Sequence, residues 1–307
     1  PAAADPATQS LFITLYRIAN NSRVAAALKA AARAGKRVEV FVEVKARFDE
    51  EANLRWAEEL TEAGAHVTYS LPGIKVHSKL MLAERTEGER QVRYAYLSSG
   101  NFNEKTAQVY TDHGLFTASP EITAEVRKVF AVLLGEEPEP QFRRLLVAPF
   151  TMQKRFEELV EREIGAVKQG EEGMILLKLN SLEERSMIQK LYQAAVAGVQ
   201  IHLIVRGICC LNPLLPELEG RIRVISIVDR FLEHARVYMF GSGPRQAIYV
   251  GSADWMARNL HRRIEVAFPI SDETIRAELL AIIGAQQRDN VKARHLDPSG
   301  SNQFVRD

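Results

Sequence analysis

The sequence predicts an α/β protein of two tandem, pseudo-symmetric domains, each a largely parallel mixed sheet flanked by helices. Short apolar runs alternate with amphipathic segments along the 307 residues, which is typical of layered α/β folds. The order of these segments occurs twice. Each copy carries a histidine followed two positions later by a cation, at His77–Lys79 and at His234–Arg236. A repeated order with one such pair in each copy indicates a duplicated unit.

The first half begins with an apolar run at 11–18, which predicts a strand. An Ala-Gly stop then ends a helix and leads into a buried strand. Apolar periodicity assigns the remaining elements as far as the acidic, Pro-rich segment 135–140. We expect helices at 21–34, 50–63 and 120–134, and strands at 37–44, 65–70, 74–83, 91–98 and 109–117.

The second half repeats this order, since Ala194–Val205 matches Ala31–Val44 as a helix end, an Ala-Gly stop and a buried strand. We place the domain boundary after residue 140. The first domain is then 1–140 and carries His77, and the second is 141–307 and carries His234. We expect helices at 151–168, 183–197 and 272–286, and strands at 173–180, 199–206, 222–228, around His234, 246–251 and 263–268.

The composition is that of an ordinary soluble globular protein, with 46% apolar and 26% charged residues. The formal net charge is only +1, so an anionic ligand would need a local basic patch. No apolar run is long enough to predict a transmembrane segment. The adjacent Cys209 and Cys210 do not form an ordinary framework disulfide, which fits a reducing compartment. We therefore expect a cytoplasmic protein, and peripheral membrane association stays open.

The histidine–cation pattern is weak evidence by itself, because seven His and 40 Lys plus Arg give about one such triplet by chance and three occur. The third, His261–Arg263, has no counterpart in the other half. The other two lie in strand-like runs, where residues two apart project from one face. A small polar turn follows each run. We expect Ser99, Asn101, Ser252 and Asp254 in these turns to orient the two imidazoles.

A histidine beside a cation suits phosphoryl transfer through a phosphohistidine. A neutral imidazole attacks phosphorus, and a second imidazole acts as an acid toward the leaving oxygen. His77 and His234 are therefore expected in opposite protonation states. Lys79 and Arg236 would each hold a nonbridging oxygen, the lysine as a point charge and the arginine through two parallel N–H bonds.

Several motifs resemble the phospholipase D superfamily and, more closely, the C-terminal catalytic half of the bacterial polyphosphate kinase family. They are ITLYR (13–17), KARFDEEAN (45–53), KVHSKL (75–80), SSGNFNEKTA (98–107), YTDHGLFT (110–117), VRGICCL (205–211), IVDRFLEH (227–234) and SADWMARN (252–259). The resemblance spans nearly the whole chain in uninterrupted order. It implies two tandem phospholipase D-like domains.

Carried over by motif, the resemblance implies reversible transfer of the ATP terminal phosphate to polyphosphate. His77 matches the family's phosphorylated nucleophile, and Tyr110, Arg206 and His234 match positions around the ATP phosphates. Arg17 and Arg47 match the family's region for phosphate and Mg²⁺. Since a guanidinium has no free acceptor, both arginines are expected to contact phosphate beside the metal.

The implied cofactor is Mg²⁺, and the implied partners are ATP or ADP and inorganic polyphosphate, with no nucleic acid expected. The family carries an N-terminal domain and a head domain ahead of these two. Because the chain begins PAAADPATQ without Met, we expect it to be a fragment. The full-length protein is expected to be a homo-oligomer, and the fragment is compatible with a monomer.

Two alternatives stay open. One is a phospholipase D-like phosphodiesterase acting on lipid or nucleic acid. The superfamily's hydrolases usually place an Asp a fixed distance after the His-x-Lys strand, where this chain has Glu84 and Gly241. That departure, together with Arg236 in place of Lys, favours the kinase. The other alternative is a fragment that binds polyphosphate or nucleotide without turnover, because the N-terminal domains are missing.

Overall fold

The computed structural model describes residues 1–43, 50–69 and 73–306. Arg47 lies outside the described residues. Elements of the first half (1–140) are, in chain order, β1 (Thr8–Leu15), α1 (Arg23–Arg33), β2 (Arg37–Val42), α2 (Glu50–Glu62), β3 (His66–Tyr69), β4 (Lys75–Val76), β5 (Lys79–Glu87), β6 (Arg90–Ser98), β7 (Tyr110–Thr111), β8 (Gly114–Thr117) and α3 (Pro120–Leu133).

Elements of the second half (141–307) follow in the same manner. They are β9 (Leu146–Ala148), α4 (Met152–Lys168), β10 (Met174–Leu179), α5 (Arg185–Val196), β11 (Gln200–Val205), β12 (Ile222–Ser226), β13 (Leu232–Glu233), β14 (Arg236–Phe240), β15 (Ala247–Gly251), α6 (Ala257–His261), β16 (Arg263–Pro269), α7 (Glu273–Gln287) and β17 (Arg294–His295). No helix in the described ranges is both long and apolar enough to cross a bilayer.

The two halves build sheets of equivalent order, as the repeat predicts. The first sheet runs β3-β2-β1-β5-β6-β8, and the second contains β12-β11-β10-β14-β15-β16. Both sheets are mixed. Parallel pairing within each repeat is confined to β3-β2-β1 and to β12-β11-β10. The remaining neighbours in these two series pair antiparallel. Among them, β5–β6 and β14–β15 are hairpins with tight turns at Gly88 (φ 60) and Gly241 (φ 82).

The strand predicted at 74–83 is broken at its histidine, and so is the strand predicted around His234. β4 pairs in parallel with β16 of the second half, whereas β5 lies in the first-half sheet. In the same way, β13 pairs with β7 of the first half, and β14 lies in the second-half sheet. The chain therefore passes from one half to the other at His77 and again at His234. This corrects the prediction of one continuous strand with the histidine and cation on a single face.

Three of the four apolar clusters among the described residues pack the helices against the sheets. Helices α1 and α2 pack on β1 and β2, and helices α4 and α5 pack on β10 and β11. Between these outer layers, both sheets share a core with α3 and α7 that includes Phe12, Phe130, Val237 and Phe268. Because one core spans both halves, burial of its apolar surface fixes the two sheets relative to each other.

Candidate active site

His77 is oriented by a carboxylate of the second half. Its Nδ1 lies 2.9 Å from Oε2 of Glu265, which is fully buried on β16. Ser252 donates to the same oxygen at 2.5 Å, and the Asn259 amide donates to Oε1 at 2.5 Å. Tyr16 packs edge-on against the imidazole, with ring centroids 4.8 Å apart. Ser252 and Asn259 thus hold the two oxygens of the Glu265 carboxylate in position beside the imidazole.

His234 is oriented in the mirrored way by the first half. Its Nδ1 lies 2.8 Å from Oδ1 of Asp112, and the Ser99 hydroxyl donates to that oxygen at 2.6 Å. The ring of Tyr110 lies 5.0 Å from the imidazole. Each half therefore supplies the histidine of one triad and the carboxylate and serine of the other.

Strand register explains this exchange. Ile264 pairs with Val76, so the next residues, Glu265 and His77, lie side by side. By the same rule, β13 pairs with β7 and leaves His234 beside Asp112. Backbone N–H groups at 77 and 78 both donate to the carbonyl oxygen at 264, and those at 234 and 235 both donate to the carbonyl oxygen at 111. These bonds lock the backbone of each histidine against the opposite half.

Both imidazoles are neutral at pH 7 in the substrate-free protein. Burial lowers the pKa of His77 to about 3, although Glu265 opposes the shift. Burial, together with Arg236, lowers the pKa of His234 to about 4, against the opposing effect of Asp112. The expected opposite protonation states are therefore absent before substrate binds. Since a carboxylate only accepts hydrogen bonds, each Nδ1 carries the proton and each Nε2 keeps its lone pair.

The two cations differ in their partners. Nζ of Lys79 donates to the backbone oxygen of His77 and lies 5.3 Å from the centre of the Tyr16 ring. Arg236 donates to both carboxylate oxygens of Asp254, at 3.3 and 3.1 Å. Burial lowers the pKa of the Lys79 amine to about 7, opposed chiefly by Glu265.

Two of the four turn residues do not act as predicted. Ser99 and Ser252 do not contact the histidines directly. They donate hydrogen bonds to Asp112 and Glu265, the carboxylates that contact the two imidazoles. Asp254 contacts Arg236 and the backbone N–H groups at 180 and 181, rather than His234. The Oδ1 atom of Asn101 is buried without a hydrogen-bond partner among the described residues, so no hydrogen bond to this oxygen orients His77.

Arg206, Arg17 and Glu84 differ in their surroundings. Arg206 follows the second-half strand β11, and its Nε donates to the carbonyl oxygen of Glu233, one residue before His234. Arg17 follows β1 and is half-buried. Glu84 accepts from Ser10 at 2.7 Å and from Arg93 at 2.8 Å, so its carboxylate is engaged away from the histidines.

Sequence reasoning missed Asp112, Glu265, Asn259 and Tyr16. A signal for the two acids was present, since Asp112 follows Ser99 by 13 residues and Glu265 follows Ser252 by 13 residues. An acid at equal spacing in both copies of a repeat is a candidate partner for the duplicated histidine.

A protein-bound Mg²⁺ is not supported by the donors present. Across the described ranges, no group of three or more His, Cys, Asp or Glu side chains converges in a way that could hold a metal ion. Asp112, Asp254 and Glu265 instead accept hydrogen bonds from His234, Arg236 and His77. The residues described do not form the oxygen-rich cage that an all-protein site for this ion needs.

Family models and similar proteins of known identity indicate the same family. Residues 1–139 match the model for polyphosphate kinase C-terminal domain 1, and residues 145–307 match the model for domain 2. Polyphosphate kinases of Salmonella typhimurium and Escherichia coli K12 are each 47% identical over 99% of this chain. The chain spans 44% of the length of each.

Solved structures agree in fold. A crystal structure of polyphosphate kinase from Porphyromonas gingivalis matches with a TM-score of 0.91 and 47% identity, over 99% of this chain and 46% of that one. Phosphatidylserine synthase of Haemophilus influenzae matches with a TM-score of 0.59 over 95% of this chain and 83% of that one. Its identity is 10%, so this second likeness concerns the fold alone.

Proposed function

Because this chain belongs to the polyphosphate kinase family, we propose that it is the catalytic core of a reversible ATP–polyphosphate phosphotransferase that works through a phosphohistidine. The observation that carries the proposal is the crossed pair of triads, in which each half orients the histidine of the other. We also propose that 1–140 and 141–307 act as two domains with the reacting groups between them.

We assign the nucleophile to Nε2 of His77. A bond forms from Nε2 to the terminal phosphorus of ATP while the bond from that phosphorus to the bridging oxygen breaks, and the electron pair leaves with ADP. The ring becomes cationic, and Glu265, hydrogen-bonded to Nδ1–H, stabilises that charge. A phosphate chain then attacks the phosphohistidine, and the same steps run in reverse to make ATP.

His234 is assigned to the leaving oxygen. Its low pKa in the free protein arises from burial and from the neighbouring Arg236, and an incoming polyanion opposes both effects. Bound phosphates therefore raise the pKa of this imidazole toward the value an acid needs, and Asp112 stabilises the protonated ring. Tyr110 and Arg206 are placed on the ATP phosphates.

Charge on the phosphates would be met mainly by cations of the protein. Arg17 and Arg47 are assigned to phosphate oxygens by their match to the family. We propose that Mg²⁺ arrives bound to the nucleotide phosphates, in keeping with the lack of a carboxylate cage in the part of the chain that the structure describes. ATP as substrate places the protein in the cytoplasm, and we assign homo-oligomerisation to the full-length protein rather than to this chain.

Labelling tests the proposal. The chain is incubated with Mg²⁺ and either γ-labelled ATP or labelled polyphosphate, and base-stable, acid-labile phosphate on the protein is mapped by peptide mass spectrometry. We expect label on His77, none in His77→Ala, and transfer of the label to ADP. An unlabelled but folded protein that cleaves a generic phosphodiester would replace the kinase with the hydrolase alternative. Label from polyphosphate but not from ATP would mean that the histidine chemistry is intact and that the nucleotide pocket is incomplete in this chain.

A further inference from the structure

The two halves differ at one register position beside their cations. Lys79 pairs with Ser98 across the β5–β6 hairpin, and Arg236 pairs with Gly251 across the β14–β15 hairpin. Three residues beyond each partner, the first half has Asn101 and the second half has Asp254. Equivalent backbone positions therefore carry a neutral amide in one half and a carboxylate in the other.

In the second half, this carboxylate cancels the charge of the cation. Arg236 and Asp254 are both buried and share two hydrogen bonds, and backbone N–H groups at 180 and 181 fix the aspartate further. Although burial would raise it, the pKa of Asp254 is lowered, first by the charge of Arg236. Three N–H groups of the guanidinium are already engaged, two by this aspartate and one by the carbonyl oxygen of His234.

In the first half, the amine that corresponds to Arg236 has no carboxylate partner among the described residues. Lys79 is 1% exposed and forms no ion pair with a carboxylate in the ranges that the structure describes. Glu265 and Asp112 act on it only from a distance, and both are hydrogen-bonded to histidines. Asn101, at the position equivalent to Asp254, leaves its own Oδ1 without a partner among the described residues.

Building on the proposed function, we propose that the difference between Asn101 and Asp254 decides which histidine accepts the phosphoryl group. The neutral amide leaves the charge of Lys79 available to a phosphoryl group at His77. Asp254 withdraws Arg236 from that role, so His234 is left to handle the leaving oxygen. Asn101 and Asp254 are thus positioning residues that act through their neighbouring cations.

The charge of the transferred group explains why an unpaired cation beside the histidine matters. A phosphoryl group in transit carries negative charge on three equatorial oxygens, and catalysis depends on cations placed beside them. The carboxylate of Asp254 offsets part of the field of Arg236, whereas no carboxylate pairs with the buried amine of Lys79 in the described ranges. The exchange of Asn101 for Asp254 thus adds a charge difference to two triads of similar geometry.

The test uses the 307-residue chain and the variants Asn101→Asp, Asn101→Ser, Asp254→Asn and the double exchange Asn101→Asp/Asp254→Asn. Asn103→Asp is the matched control. Its Oδ1 accepts from the N–H groups at 105 and 106, which a carboxylate oxygen also does, and it adds the same charge nearby. Two quantities are measured: the dissociation constant for inorganic pyrophosphate by calorimetry, and the position of phosphohistidine after incubation with labelled polyphosphate. A thermal melt checks each fold.

We expect Asn101→Asp to weaken pyrophosphate binding by about tenfold, the loss of one charge-assisted contact, and to suppress label on His77. The neutral variant Asn101→Ser and the control Asn103→Asp should keep both pyrophosphate binding and label on His77. The double exchange is expected to place label on His234. Wild-type binding and labelling in Asn101→Asp would overturn the inference, and so would loss in Asn101→Ser equal to that in Asn101→Asp. If wild type binds pyrophosphate but carries no label, the proposed function fails, while the binding series still decides whether Asn101 governs the charge of Lys79.

Discussion

The Nδ1 atom of His77 lies 2.9 Å from Oε2 of Glu265, although 188 residues separate them along the chain. His234 stands in the same relation to Asp112, which precedes it by 122 residues. Among the described residues, neither half contains a complete triad. Each triad is therefore assembled only where the two halves meet.

Glu265→Gln is expected to lower phosphoryl transfer by about 10²–10⁴-fold, the range typical of losing general acid–base support. The amide donates toward Nδ1 and so favours the tautomer in which Nε2 carries the proton, which removes the nucleophilic lone pair. The measurement is the rate of phosphohistidine formation from labelled polyphosphate, with pyrophosphate binding expected to stay near wild type.

Glu84→Gln is the matched control for that change. Glu84 stands where the superfamily's hydrolases usually carry Asp, yet its carboxylate contacts Ser10 and Arg93 instead of the histidines. Near-normal phosphohistidine formation is expected. A loss as large as that of Glu265→Gln would mean that the effect follows general carboxylate removal, and the assigned role of Glu265 would then be wrong.

The elements whose positions depend on local sequence pattern could be predicted. The parts of the site that depend on strand pairing between the two halves could not. KVHSKLML contains no Gly or Pro and reads as one strand, so nothing local marks the break at His77. The break arises because β4 pairs with β16, a partner almost 190 residues away. Asp254 illustrates the same point, since its position in a polar turn says nothing of the arginine that it neutralises.

The unfolding free energy is expected to fall as the pH drops from about 6.5 toward 4. Both active-site histidines have folded-state pKa values, about 3 and about 4, below the ordinary histidine value of about 6.5. In that window the unfolded chain binds more protons than the native one, so acidification favours unfolding. Denaturant titrations at several pH values are compared between wild type and His77→Gln. The variant should show a shallower dependence, and an identical slope would contradict the assignment of a neutral buried His77.

An alkaline decline in kcat/KM is expected as the pH rises through about 7. Burial lowers the pKa of Lys79 to about 7 in the free protein, so its charge is lost as the pH increases through that value. Bound phosphate raises this pKa, and kcat should therefore decline at a higher pH than kcat/KM. Lys79→Arg should move the decline well upward, because a guanidinium stays charged. A decline unchanged in Lys79→Arg would assign the titration to another group.

Glu233 supports the β13–β7 pairing, and loss of its carboxylate is expected to lower the free energy of unfolding. Oε2 of Glu233 accepts from Lys178 at 2.6 Å, from Gln286 at 2.8 Å and from Thr111 of the first half at 3.1 Å. Lys178 is 2% exposed, so Glu233→Gln leaves a buried amine without its counter-charge. Breaking one side of a buried pair costs about 3–5 kcal/mol, and the partial exposure of Glu233 places the expectation at the lower end, about 3 kcal/mol.

The double variant Lys178→Met/Glu233→Gln separates charge from packing. Because it removes the unpaired amine as well, it should recover much of the loss seen in Glu233→Gln alone. Glu158→Gln serves as a control, since its pair with Arg155 is solvent-exposed and should change the unfolding free energy by less than about 0.5 kcal/mol. Urea titrations give all three values. A double variant no more stable than Glu233→Gln would show that the contacts with Thr111 and Gln286, rather than the buried charge, hold the strand that presents His234.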